Sequence, residues 1–152
     1  MPEAAIRRAV RADLPEVVAL LADDVLGRTR ERVEDPLPQC YAEAFSAIDA
    51  DPNQQVLVCV RDGRAIGCLQ LTFIPGLSHQ GSWRAQIEGV RVASTARGEK
   101  IGERMMVYAI DAARERRCRI VQLTTAKSRP DAHRFYERLG FTASHEGMKL
   151  TL

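Results

Sequence analysis

The 152 residues carry 22 basic and 20 acidic side chains, a net charge of +2, so no global positive field argues for a nucleic-acid or membrane-surface partner. With 45% hydrophobic and 28% charged residues, the composition is that of one folded domain able to bury a full core, not of a disordered segment. Cys40, Cys59, Cys68 and Cys118 form no C-x-x-C pair, which argues against zinc and redox sites and leaves four reduced, partly buried thiols. No stretch approaches the roughly 18 apolar residues of a membrane span. Met1 to Arg8 holds no apolar core of signal-peptide length, so the cytoplasm is the expected compartment.

Ile6 to Val10 reads as a first strand. Asp13-Leu14-Pro15-Glu16 then opens a helix, with proline tolerated and acids favoured in its first turn, and Leu14, Val17, Val18, Leu20 and Leu21 on its apolar face. Asp23 to Asp35 is charged and irregular. Gln39 to Ala50 reads as a second helix that buries Tyr41, Ala44, Phe45 and Ile48, and Asp51-Pro52-Asn53 stops it. Val56 to Val60 and Ala65 to Phe73 are β-rich runs joined by Asp62-Gly63, a strong hairpin signal. After a loop from Pro75 to Trp83, Gln86 to Val92 forms another strand. A long helix from Ile101 to Arg116 carries Ile101, Met105, Val107, Tyr108 and Ile110. Ile120 to Thr124 is a buried strand, Pro130 to Leu139 a helix, and Phe141 to Ser144 and Met148 to Leu152 two closing strands. The order β-α-α-β-β-β-α-β-α-β-β predicts an α/β (α+β) fold: a mixed central sheet with helices on both faces, in one domain spanning 1–152.

Val90-Arg91-Val92 ends a strand, and the helix at Ile101 follows after Ala93-Ser94-Thr95-Ala96-Arg97-Gly98-Glu99-Lys100. Such a turn leaves backbone N–H groups aimed at one spot, where the helix N-terminus adds about half a positive charge; a diphosphate suits it. Arg97, Lys100 and Arg104 add charge nearby, and Gly102, lacking a Cβ, permits close approach. The pattern is neither the G-x-G-x-x-G of dinucleotide folds nor a P-loop.

Arg97-x-x-Lys100-x-Gly102 after an apolar strand resembles the acyl-CoA motif [QR]-x-x-G-x-[GA] of the GNAT N-acetyltransferase superfamily, with Lys100 in place of the usual glycine. A long side chain fits there only if the backbone avoids positive φ. The run Ala132-His133-Arg134-Phe135-Tyr136-Glu137-Arg138-Leu139-Gly140-Phe141 is similar to the family's second motif, with Arg129 where members often place asparagine. Ile6-Arg7-Arg8-Ala9 and Ala12-Asp13-Leu14-Pro15 look like its first strand and helix. The resemblance covers nearly the whole chain. It implies the GNAT fold, a mostly antiparallel sheet of about six to seven strands, and acetyl-CoA as acyl donor without a metal. It implies acetyl transfer to the primary amine of a small molecule or peptide, and it allows a homodimer; with no G-x-S-x-G nucleophile elbow and with Cys59 and Cys68 in β-rich runs, direct transfer without an acyl-enzyme intermediate is expected. The cofactor-binding residues it implies are Val90, Arg91, Val92, Arg97, Gly98, Glu99, Lys100, Ile101, Gly102, Glu103 and Arg129. A non-catalytic acyl-CoA-binding sensor on the same fold is the alternative.

Acyl transfer from a thioester needs a neutral amine, a stabilised oxyanion and a proton for the departing thiolate. Glu88, in a mostly apolar strand where partial burial would raise its pKa, is the candidate base; otherwise it is a sheet-surface carboxylate or the partner of an arginine such as Arg84. Gly89 suggests a β-bulge, which in this family admits the pantetheine arm along the backbone of Val90 and Val92; otherwise it relieves crowding against a helix. Tyr136 is either the general acid, as the resemblance implies, or a core aromatic. Trp83 either walls the acceptor pocket or anchors its loop. Acceptor recognition is expected from Asp24 to Pro36 and from Pro75 to Trp83. Cys59 and Cys68, in β-rich runs, are expected to be inert.

Overall fold

The structure, a computed structural model, describes residues 3–152; Met1 and Pro2, which head the segment read for a signal peptide, lie outside it. The chain divides into two compact units, Met1–Gln122 and Leu123–Leu152. The elements up to their boundary are β1 (Ala5–Arg8), α1 (Leu14–Ala22), α2 (Gly27–Arg30), α3 (Gln39–Ala50), β2 (Gln54–Arg61), β3 (Arg64–Pro75), α4 (Ser78–Gly81), β4 (Trp83–Val92), α5 (Ile101–Glu115) and β5 (Ile120–Leu123). The sheet order is β1-β2-β3-β4-β5, with the first three pairings antiparallel. The Arg119 N–H donates to the Trp83 carbonyl at 2.8 Å and the Gln122 amide reaches Gln86. These contacts advance in the same sense along β4 and β5, so the two strands run parallel with α5 as their crossover. Asp62 and Gly63 both take positive φ, 53° and 74°, as a two-residue hairpin turn demands.

Strand alternation gives the sheet two faces. Leu57, Leu69, Leu71, Phe73 and Ile87 are buried on one, together with Ile101, Met105, Met106, Ala109 and Ala113 of α5. Gly67 sets the approach of that helix: a Cβ there would lie 2.7 Å from Met105 Sδ. Val107 and Tyr108 of the same helix are exposed because the helical period turns them away from the line through Met105 and Ala109. On the opposite face Leu14, Val17 and Leu20 of α1 and Phe45 of α3 cover Val58 and Cys68. Of the four residues expected to be buried in α3, only Phe45 is; Tyr41 is half-buried and bonds to Glu31 and to the Arg32 N–H, and Ala44 is exposed.

Several boundaries differ from expectation. The segment after α1 contains α2, and the loop after β3 contains α4, where His79 and Gln80 are left-handed. β5 is not buried: Ile120 is exposed, since β5 is the edge of the described sheet. Residues 141–144 and 148–152 form no strands, so the described sheet has five strands in place of six to seven. The Met148, Leu150, Leu152 alternation gives one apolar face, but a strand also needs a neighbouring backbone to bond with, and all three side chains are largely exposed. The second unit holds α6 (Pro130–Arg138), with proline at its start, and the edge-to-face stack of Phe135, Tyr136 and Phe141.

The start of α2 is fixed by a side chain. Asp24 Oδ1 accepts the N–H groups of Leu26 at 2.7 Å and Gly27 at 2.8 Å. This draws Gly27 so close to α1 that a Cβ would stand 1.9 Å from the Leu21 carbonyl oxygen. Because backbone must move to admit it, Gly27→Ala should destabilise the protein by about 1–3 kcal/mol. The urea midpoint should fall at constant m; an unchanged midpoint would mean that α2 does not seat on the last turn of α1.

Candidate functional site

The site grows from β4. Opposite β3, Gln70 pairs with Glu88 and Cys68 with Arg91, so Gly89 and Val90 together face Leu69 in a β-bulge. Gly89 takes φ +62°, a conformation that favours glycine, and the Cys68 thiol donates to its carbonyl at 3.6 Å. The bulge expected from the glycine is present. Burial pushes the Cys68 thiol up to about 12, so it stays protonated and serves as a donor, not a nucleophile. Cys59 is likewise buried, whereas Cys40 is exposed.

Past the bulge, Arg91 Nη1 donates to the Val90 carbonyl at 3.0 Å. Its Nε lies 2.9 Å from Asp24 Oδ2 but off the hydrogen-bonding line, which makes the contact an ion pair; the two side chains are only 16% and 15% exposed. Asp24 thus joins the start of α2 to the strand beyond the bulge. Sequence reasoning missed this residue; its one legible signal was its place three before Gly27, the spacing of an Asx cap.

Before the bulge, Glu88 is exposed, contrary to the expected partial burial. Its apolar neighbours Ile87 and Ala85 face α5, while Glu88 shares the other face with Gln86, Gln70, Thr72 and Gln54. Helices α1 and α3 cover the Val58–Cys68 half of this face, and the remainder is a hydrogen-bonded polar surface. Gln54 Oε1 accepts from Thr72 Oγ1 at 2.8 Å and from Gln70 Nε2 at 3.3 Å, and Gln86 Nε2 donates to Glu88 Oε1 at 2.9 Å. Among the described residues the partner of Glu88 on this face is Gln86, not Arg84. Trp83 falls on the Ala85–Ile87 face, opposite Glu88, which favours the anchoring reading.

After β4 the chain makes one 3-10 turn, Ser94–Ala96, buries Ala96 and enters the turn at Arg97. Gly98 (φ +84°) and Lys100 (φ +61°) are both left-handed. Lys100 therefore adopts the conformation expected to be closed to it, at a local cost of about 1–2 kcal/mol. It is the N-cap of α5, and its side chain makes no cap hydrogen bond. The first helical bond runs from the Arg104 N–H to the Lys100 carbonyl, so the N–H groups of Ile101, Gly102 and Glu103 have no partner within the helix. A Cβ on Gly98 would meet only open space. Glu99, which would oppose an anion, is held by Arg61 at 2.6 Å. Arg97 and Lys100 are exposed beside this N-terminus. Arg104, expected to add charge here, donates instead to the Ala4 carbonyl at 2.8 Å. Chemically, the turn can hold a multivalent anion.

Glu88, Val90, Arg91, Val92 and residues 97–103 lie in the first unit. Arg129, the N-cap of α6, and half-buried Tyr136 lie in the second. The Tyr136 carbonyl accepts from the N–H groups of Leu139 and Phe141, which closes the helix onto its aromatic stack. Among the described residues no group of His, Cys, Asp and Glu could hold a metal ion.

The family model of the acetyltransferase (GNAT) family matches residues 18–141. The chain is 32% identical to the aminoalkylphosphonate N-acetyltransferase of Salmonella typhimurium, over 95% of this chain and 89% of that one. A crystal structure of a transcriptional regulator from Bacillus halodurans is 53% identical, with a TM-score of 0.96 over 99% of this chain and 100% of that one. Glucosamine-6-phosphate N-acetyltransferase of Arabidopsis thaliana, 19% identical, shares the fold with a TM-score of 0.79 over 98% of each chain.

Lys100→Gly should raise stability by about 1 kcal/mol, because glycine takes the left-handed conformation without a Cβ penalty. Thermal unfolding measures this directly; a lower Tm would show that the lysine side chain stabilises the turn by more than its backbone strains it.

Proposed function

The chain belongs to the acetyltransferase (GNAT) family and is an N-acetyltransferase, and we propose that it moves an acetyl group from acetyl-CoA directly to the primary amine of a small molecule, without a metal. The observation that carries the donor assignment is the uncapped N-terminus of α5, entered through left-handed Gly98 and Lys100 directly after a bulged strand. In this reading the N–H groups of Ile101, Gly102 and Glu103 and the charges of Arg97 and Lys100 hold the diphosphate. The backbone from Gly89 to Val92 receives the pantetheine arm, and Arg129 is a further donor-binding residue by its place in the motif that resembles the family's. The family match crosses Gln122, which supports treating both units as one transferase domain. No described helix is long and apolar enough to cross a membrane, and a cytoplasmic location is part of the proposal.

Glu88 takes a proton from the acceptor's ammonium group, directly or through water, and the neutral amine attacks the thioester carbonyl. A backbone N–H at the bulge stabilises the developing oxyanion. As the C–S bond breaks, Tyr136, in the role the resemblance implies, gives its phenolic proton to the thiolate, and the attacking nitrogen returns its second proton through water to the tyrosinate; the products are an amide, free coenzyme A and the proton that Glu88 passes to solvent. The exposure of Glu88 gives the proton it takes a direct path to solvent. An aminoalkylphosphonate is the first acceptor class to test, from the relative of that name matched over nearly the whole chain.

The name of the Bacillus halodurans relative favours a second reading, a regulator that binds acyl-CoA without turnover. Thiol release from acetyl-CoA with 2-aminoethylphosphonate, glucosamine 6-phosphate and a lysine peptide separates the two. Arg97→Ala should weaken acetyl-CoA binding by about 1–3 kcal/mol with little change in kcat. Glu88→Gln should lower kcat about 10²–10⁴-fold with binding nearly intact. Calorimetry and steady-state kinetics check this crossed pattern, and two variants with the same defect would contradict the separation of anion site from base.

A further inference from the structure

Three side chains form a directed chain across the polar half of the sheet. Gln122 Nε2 on β5 donates to Gln86 Oε1 at 2.9 Å, and Gln86 Nε2 on β4 donates to Glu88 Oε1 at 2.9 Å. Gln86 and Glu88 sit two positions apart on one face, about 6.6 Å along the strand. They meet only because the Gln86 side chain leans along the strand, and Gln122 holds its other end.

An amide has one accepting and one donating end. If Gln86 were flipped, its oxygen would face the Glu88 carboxylate and its NH₂ would face the NH₂ of Gln122. The first contact would be repulsive whatever Gln122 does, so the carboxylate sets the orientation and Gln122, donating from the other side, holds it. An ionised carboxylate only accepts hydrogen bonds, which makes it the proper end of a chain in which every link donates toward it. We propose that Gln86 and Gln122 are positioning residues that hold the Glu88 carboxylate aimed for proton abstraction, Gln122 acting through Gln86. This rests on the base role assigned to Glu88.

The surroundings leave few other charges to do this. Across β3, Gln70 faces Glu88 and Thr72 faces Gln86, and both are neutral. On β4 itself, Arg84 stands four residues before Glu88, and Arg91, beyond the bulge, is paired with Asp24. From β5 the group that reaches β4 is Gln122. A donated N–H favours the charged form of a carboxylate, so its loss should raise the Glu88 titration midpoint.

The test uses Gln86→Met and Gln122→Met, which keep side-chain length and remove the amide. Carboxyl ¹³C titration of Glu88 needs no acceptor. Its midpoint should rise by about half a pH unit or more in Gln86→Met and by less in Gln122→Met. In the Gln86→Met background, Gln122→Met should add nothing. With acetyl-CoA and 2-aminoethylphosphonate, the acidic limb of kcat/KM should move up with the midpoint, while the Kd for acetyl-CoA stays constant. A wild-type midpoint in Gln86→Met, or additive shifts in the double variant, would overturn the relay even if Glu88→Gln proved inactive. Full activity with an unchanged acidic limb in Glu88→Gln would instead remove the base assignment, and the relay's catalytic meaning with it.

Discussion

Between Gln70 and Cys68 the third strand advances by two residues, while the fourth advances by three, from Glu88 to Arg91. That one extra residue reverses the alternation of β4. Without it, Glu88 and Arg91 would stand on opposite faces; with it, both lie on the face that α1 and α3 half cover. Gly89 makes this possible because it accepts φ +62°. The consequences run both ways along the strand. Upstream, the carboxylate lies among glutamines; downstream, Arg91 meets Asp24 and ties the start of α2 to the strand.

The turn before α5 is an electrostatic arrangement more than a packed one. A helix N-terminus with no side-chain cap has a positive end, and here nearby acids do little to cancel it: Glu99 is drawn to Arg61, and only Glu103 remains on the first helical turn. Lys100 is held left-handed although it has a Cβ, a local strain of the kind that persists where surrounding structure fixes the backbone. The anion-binding reading thus draws on three independent features: the open N–H groups, the strained cap and the diverted carboxylate.

Much of this was legible in the sequence, and the misses have physical causes. Asp62-Gly63 and Gly89 were readable because both positions need conformations that few residues accept. The start of α5 at Ile101 followed from the end of one apolar period and the start of another. The exposure of Glu88 was not legible, because apolar neighbours along a strand reveal nothing of what covers the other face. Lys100 misled for a related reason: local sterics give the cost of a left-handed lysine but not the forces that impose it. Met148, Leu150 and Leu152 show the limit for strands, since alternation is local and pairing is not. Asp24, Gln86 and Gln122 matter through partners distant in sequence or on another strand, and periodicity carries no trace of that.

Membership of the acetyltransferase family is established by the match across residues 18–141, and the central claim beyond it is that the bulged strand and the helix turn together receive the acyl donor. Backbone amide NMR during titration with coenzyme A tests it most directly. The account predicts that the largest saturable shifts fall on Gly98 and residues 101–103, with a second group on residues 89–92. Saturable shifts that leave both segments unmoved would contradict it.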